Sequence, residues 1–300
     1  MISLDQAWLS ANPLPCPDAE TDKNKRGRVL VAGGAETVPG ALLLTGEAAF
    51  RAGAGKVQLA TVVRAAITLG LQMPEAAVFG LPANGAGELA GEAGRELADM
   101  LEMCDIAVLG PGMGDKADAS QILREMLSGA ASRPALLLDS VLIGAVADLA
   151  EEVRAWDGPV VLTPHAGEMA ALMACDENDI SPALAEEAAG RFGVTVVLKT
   201  SRTWIASPNT PTLHYDGGGP GLATGGSGDV LAGIIAGLLA RGADPRTATG
   251  WGVWLHGAAG RLLAQRVGPL GFMAHELLPE LPKLMADPSA RQTVIDRARR

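Results

Sequence analysis

Aromatic side chains are scarce in this 300-residue sequence: one tyrosine, four phenylalanines and five tryptophans make up 3% of it. A series of stacking platforms for bases or sugars is therefore excluded. Basic residues are also short, 24 Lys and Arg against 34 Asp and Glu, for a formal net charge of -10. A field of that sign repels a phosphate backbone and argues against nucleic acid as a partner; any phosphate must be held by a local device. Cysteine is nearly absent. Cys16, Cys104 and Cys175 are odd in number, far apart and outside any CxxC, so neither a disulfide framework nor a cysteine zinc site is indicated. Long apolar runs are missing too. The longest, residues 230–240, is about half of what a bilayer span needs. The opening Met1-Ile2-Ser3-Leu4-Asp5 carries no charged-then-apolar leader. A reduced, cytoplasmic protein with no membrane partner is expected.

What is present is globular: 48% hydrophobic and 19% charged residues. Short apolar runs at 28–32, 56–60, 106–109, 135–138, 159–162 and 194–198 alternate with helical stretches at 41–52, 85–103, 117–127 and 183–192. Continuous rather than alternating hydrophobicity suits strands buried on both faces of a parallel sheet. The spacing predicts βαβ units and helices on both faces. Residues 203–206 and 212–215, joined across Ser207-Pro208-Asn209, read as a hairpin at a sheet edge. Three helices follow, at 229–240, 246–266 and 274–285. One α/β domain over residues 1–300 is expected, with peripheral, charged ends at roughly 1–20 and 288–300.

The strongest local signal runs Gly217-Gly218-Gly219-Pro220-Gly221-Leu222-Ala223-Thr224-Gly225-Gly226-Ser227-Gly228-Asp229, straight into a helix that is apolar all round. Such a helix is buried, and Gly233 and Gly237 one turn apart permit close packing. A glycine loop opening a buried helix makes an anion hole, here Gly225, Gly226, Ser227 and Gly228, because free amides and the helix dipole both favour negative charge. No Lys or Arg is required. Asp229 falls in the first turn, where the dipole is expected to keep it ionised and fit to act as general base on an attacking hydroxyl. The blander reading, a cap on a flexible turn, needs one small polar residue and not this run of glycines. Gly53-Ala54-Gly55-Lys56 is no P-loop, since Val57 replaces Ser/Thr and a strand follows. Gly110-Pro111-Gly112-Met113-Gly114 fails the dinucleotide fingerprint at Asp115, yet it is a tight turn at the carboxyl end of a strand, where open sheets bind ligands. His214, His256 and His275 read as structural, and Trp251 and Trp254 as core.

Thr224-Gly225-Gly226-Ser227-Gly228-Asp229, read with its neighbours, resembles the ADP/ATP-dependent NAD(P)H-hydrate dehydratases of ribokinase-like fold. Four further blocks match in order: Gly27-Arg28-Val29-Leu30-Val31-Ala32-Gly33-Gly34 with Pro39-Gly40-Ala41; Arg51-Ala52-Gly53-Ala54-Gly55; Gly110-Pro111-Gly112-Met113-Gly114; and Leu162-Thr163-Pro164-His165-Ala166-Gly167-Glu168. The resemblance implies a three-layer α/β/α fold with a mostly parallel central sheet and an edge hairpin. It implies dehydration of (S)-NADHX or (S)-NADPHX to NADH or NADPH by phosphorylation of the ring hydroxyl and loss of phosphate. It implies Mg²⁺, with ADP ahead of ATP as phosphoryl donor. By the same resemblance Lys199, Thr200, Ser201, Arg202, Thr203 and Gly228 would bind the nucleotide, and Ala41, Gly112, Gly114, His165 and Asp229 the hydrate. Glu168 would help hold metal, through water. A homo-oligomer is expected, and a separate epimerase in place of a fused epimerase domain. The chain departs from the family where Asp-Ala-Asp-Ala-Leu becomes Asp139-Ser140-Val141-Leu142-Ile143 and Lys-Gly-Ala becomes Lys199-Thr200-Ser201. The alternatives are a vitamin or sugar kinase of the same fold and a non-catalytic nucleotide-binding relative.

Overall fold

The computed structural model describes residues 1–16 and 20–288. Ten strands form one sheet in the order β1-β10-β9-β8-β7-β6-β5-β2-β3-β4. They are β1 (Ile2–Ser3), β2 (Arg28–Ala32), β3 (Lys56–Val62), β4 (Ala77–Leu81), β5 (Ile106–Leu109), β6 (Ala135–Leu138), β7 (Val160–Leu162), β8 (Thr195–Leu198), β9 (Arg202–Ala206) and β10 (Leu213–Asp216). From β4 to β8 every pairing is parallel. Every residue of β5, β6, β7 and β8 is buried, which is why these segments read as unbroken apolar runs. The strand order reverses between β5 and β2: the chain builds outward through β3 and β4 on one side, then through β6 to β8 on the other. Such a reversal opens a crevice at the carboxyl ends of the two central strands.

The predicted hairpin is present, with β9 antiparallel to both β8 and β10. It does not own the sheet edge. β1 pairs in parallel with β10 and takes the outer place. The helix behind it, α1 (Gln6–Ala11), buries Trp8 and Leu9 and is capped by the Asp5 side chain. The first residues, expected to be peripheral and frayed, are thus tied to the sheet and the core through at least residue 11. Most of the other expected end, residues 289–300, lies outside the described residues.

Two helices are shorter than the sequence pattern predicts. Within 85–103 only α4 (Ala93–Met100) is α-helical, followed by a 3-10 turn. The segment before it is a turn whose Asn84 side chain accepts from the amides of Ala86 and Glu88, with Gly87 at φ +78°. Residues 274–280 form a 3-10 helix containing Pro279, and only Leu281–Ala286 is α-helical.

The buried helix that follows the glycine loop, Ser227–Ala240, packs against Gly40–Arg51 and against Pro245–Arg266, over the ends of β2, β5 and β6. Numbered along the chain, these three are α10, α2 and α11 respectively. Gly233 and Gly237 set the approach. A Cβ on Gly233 would lie 2.2 Å from the Thr45 carbonyl oxygen, and one on Gly237 2.5 Å from that of Ala49. Gly233→Ala should therefore destabilise the fold by about 1–3 kcal/mol through overpacking. Gly190→Ala, on a helix where the added methyl meets nothing within 4 Å, should be neutral or slightly stabilising. Urea denaturation of the two variants checks the contrast. Among the described residues no helix is long and apolar enough to cross a membrane.

Candidate active site

Four adjacent parallel strands end at one rim, and each hands on at once to a glycine turn or a polar residue. Gly110 follows β5, Asp139 follows β6, Thr163-Pro164-His165 follows β7 and Lys199 follows β8. Backbone hydrogen bonds carry the ladder past the strands: the Asp139 amide donates to Leu109 at 2.9 Å and the Lys199 amide to Pro164 at 2.7 Å. Register along the rim is thereby fixed, and with it the side chains. Asp139 is buried, and its Oδ1 accepts from the Thr163 hydroxyl at 2.6 Å and from Lys199 Nζ at 3.0 Å. Next to it Ser140 sits at φ +54° and donates to the Met113 carbonyl at 3.2 Å, tying the end of β6 to the turn beyond β5.

The first turn of α10 lies over this pair. Its N-cap, Gly226, is left-handed at φ +86° and no side chain caps the helix. A Cβ on Gly226 would fall 2.4 Å from Leu44 Cδ1 of α2, whereas one on Gly228 would stand 3.5 Å from Lys199 Nζ and 4.0 Å from Asp139 Oδ2. Gly225 and Gly228 are open or half-open to solvent and Ser227 is buried. The Ser227 hydroxyl is 2.9 Å from His256 Nε2 on α11.

Electrostatics here differ in one way from what the sequence indicated. Lys199, which the resemblance puts at the nucleotide, reaches the start of α10 from the end of β8. Burial disfavours its charge, but the carboxylates of Asp139, Glu168 and Asp229 outweigh that and hold its pKa above the ordinary lysine value. Asp229, in turn, is not simply kept ionised by the helix dipole. Burial pushes its carboxyl up to about 7, the Asp139 carboxylate pushes the same way, and Lys199 pulls it back. Desolvation outweighs the dipole because the carboxyl is largely withdrawn from water beside another acid. A carboxyl near neutrality is better matched to proton abstraction than a fully ionised one.

The remaining residues fall into three groups. Ala41 and Gly112 are brought together: a Cβ on Gly112, at φ +69°, would meet the Ala41 Cβ at 3.1 Å. Gly114 has its amide engaged, since Glu88 Oε2 accepts from both Gly114 and Asp115 at 2.7 Å. Nothing local in the sequence marked Glu88 for this. His165 and Glu168 form a capping box on the helix Ala166–Met173. His165 Nδ1 accepts from the amides of Gly167 and Glu168, and Glu168 Oε2 accepts from the His165 amide at 2.8 Å. His165 Nε2 lies 3.3 Å from Glu168 Oε1, and the side chain is still 60% open to solvent. Beyond Lys199 the chain enters β9, which contains Thr203. Thr200, Ser201 and Arg202 line a polar cleft of about 430 Å³ with Trp204, Asp216 and Gly217, and the Thr200 hydroxyl bonds the Arg202 carbonyl. Val141 packs as a partly buried residue against the core and offers no second acid. Among the described residues no group of three or more His, Cys, Asp or Glu converges as a metal site.

The family model of NAD(P)H-hydrate dehydratases matches residues 29–283. This chain belongs to that family. An ADP-dependent (S)-NAD(P)H-hydrate dehydratase of Xanthomonas campestris is 46% identical over 283 residues, which cover 93% of this chain and 94% of the relative. A bifunctional NAD(P)H-hydrate repair enzyme of Moorella thermoacetica is 36% identical over 94% of this chain, but the match spans 53% of that longer protein. The crystal structure of the ADP/ATP-dependent NAD(P)H-hydrate dehydratase of Bacillus subtilis, co-crystallised with ATP and Mg²⁺, superposes with a TM-score of 0.81 at 27% identity. The superposition covers 95% of this chain and 98% of that one. The mostly parallel sheet and its layers are the ribokinase-like architecture of the family. Within it, the two acids, the lysine and the open start of α10 share one rim, which the sequence resemblance alone did not bring together.

Proposed function

We propose that this chain dehydrates (S)-NADHX and (S)-NADPHX to NADH and NADPH, driven by an adenine nucleotide with ADP ahead of ATP. Membership of the dehydratase family and the ADP-dependent name of the 46% identical relative support the substrate class. One observation carries the chemistry: Asp229 stands in the uncapped first turn of a buried helix, over the rim where Lys199 and Asp139 pair, and burial raises its carboxyl to about 7.

Hydroxide is a poor leaving group and phosphate a good one. Asp229 takes the proton of the ring hydroxyl as its oxygen attacks the terminal phosphorus, and the P–O bond to the rest of the nucleotide breaks. The ring C–O bond then breaks with its electrons leaving on phosphate, and a ring proton is lost. The amides at the start of α10 and the Lys199 ammonium bear the charge that gathers on the phosphoryl oxygens. Ala41, Gly112 and the open face of His165 form the wall for the hydrate, and the cleft beside Trp204 takes the nucleoside end of the donor.

A magnesium ion fits this residue set as a companion of the nucleotide. Such an ion is usually held by one or two carboxylates, phosphates and water, and Glu168, whose oxygens already meet the His165 amide and Nε2, would reach it through water. When bound it would neutralise phosphoryl charge.

The test is incubation with chemically prepared NADHX, ADP or ATP, and Mg²⁺, following NADH absorbance and released phosphate together. Both should rise in step. A stable phosphorylated product without NADH would replace dehydration by simple kinase chemistry. Because the base must be unprotonated in the free enzyme, kcat/KM should climb as pH rises through about 7 and level off above it. A flat profile from about pH 5.5 to 8.5 would take Asp229 out of that role.

A further inference from the structure

α10 begins with a feature that capping preferences do not explain. A serine is among the strongest helix N-caps, because its hydroxyl accepts from the amides two and three residues on. By position Ser227 could do so for Asp229, while the Val230 amide already donates to the Gly226 carbonyl at 3.1 Å. The helix instead starts one residue earlier, from a left-handed Gly226 with no side-chain cap, and the Ser227 hydroxyl is turned to His256 Nε2 at 2.9 Å. His256 stands on α11, packed against α10. Burial pushes its imidazole down to about 4, so it is a neutral partner across the working range of pH and brings no charge of its own to the phosphate site.

We propose that His256 is a positioning residue that keeps the anion site open by holding the Ser227 hydroxyl away from the amides it would otherwise cap. Self-capping and anion binding compete for the same N–H groups, since a helix start offers only a few unpaired donors. The imidazole decides that competition in favour of the ligand. The inference rests on the reading of α10 as the phosphoryl site, and it adds a residue outside that site to its control.

The test compares wild type, His256→Leu and the double variant His256→Leu/Ser227→Ala. ADP affinity is measured by calorimetry, and kcat and KM by NADH recovery from NADHX. Released to cap the helix, Ser227 should raise the Kd for ADP about tenfold in His256→Leu, the worth of roughly one neutral hydrogen bond. Removing the competing hydroxyl in the double variant should bring most of that affinity back, with thermal stability no higher than in the single variant. His256→Gln, which keeps a hydrogen-bonding group on α11, should lie nearer to wild type. If the leucine variant fails to fold, His256→Ala with and without Ser227→Ala gives the same comparison. A double variant that binds ADP as weakly as the single one overturns the proposal and makes the histidine a packing residue. Failure of the functional reading looks different, because wild type would then recover no NADH with either nucleotide.

Discussion

Asp229→Asn should lower NADHX dehydration by about 10²- to 10⁴-fold, the range for loss of a positioned general base, with ADP affinity little changed. Asparagine keeps the shape and a hydrogen-bonding oxygen but cannot take the proton. The same substitution should raise stability at neutral pH. The carboxyl sits at about 7 in the fold against 3.8 in an unfolded chain, so between those values the folded state holds more protons. Stability then falls as pH rises from about 4 to about 7, and the deficit is complete above that. Removing the ionisable group removes the deficit. Thermal unfolding at pH 5 and pH 8 should show wild type losing stability relative to Asp229→Asn as pH increases. A variant that is inactive, equally stable at both values and still binds ADP would leave the catalytic role but discard the desolvation account. A fully active variant would discard both.

Lys199→Met should be the most disruptive single change at the rim. The Lys199 side chain is 23% exposed and that of Asp139 7% exposed. Methionine therefore leaves a buried carboxylate with only the Thr163 hydroxyl as a side-chain partner in the described structure. Breaking a buried pair in this way costs about 3 kcal/mol, the lower end of the usual range because the lysine is partly wet. Two further effects share that cause. Lys199 is what pulls the Asp229 pKa down against burial and Asp139, so its loss should carry the pH–rate profile to higher pH. Its Nζ also stands beside Gly228 at the start of α10, so ADP should bind more weakly. Asp139→Asn in the Lys199→Met background should recover much of the stability, since the stranded charge goes with it, but not the activity. Urea unfolding and the pH dependence of kcat/KM separate these outcomes. A Lys199→Met protein of wild-type stability and unmoved pH profile would show that the pair carries neither load.

Much of the scaffold is legible along the chain because its causes are local. β5 to β8 are apolar without interruption, and that follows from burial on both faces. The glycines of α10 announce a close helix contact wherever its partner lies. Where composition misled, a local competitor had won: Asn84 turned the start of 85–103 into a hydrogen-bonded bend, and Pro279 held 274–280 to a 3-10 helix. β1 was overlooked because two residues carry no periodicity; only their pairing with β10 makes them a strand.

The site divides along the same line. Asp229, the glycines before it and the turn at 110–114 follow from sequence alone, because a backbone that must bend sharply or approach a ligand requires glycine there, and the acid sits within one helical turn of them. The residues that set the properties of that acid are far off in the chain. Asp139 and Lys199 lie 60 positions apart and meet because β6 and β8 end at one rim, and His256 reaches Ser227 across two packed helices. A sequence specifies which groups exist and how the chain bends beside them. Desolvation and charge coupling depend on what lies within a few ångströms in space, and only the folded sheet decides that.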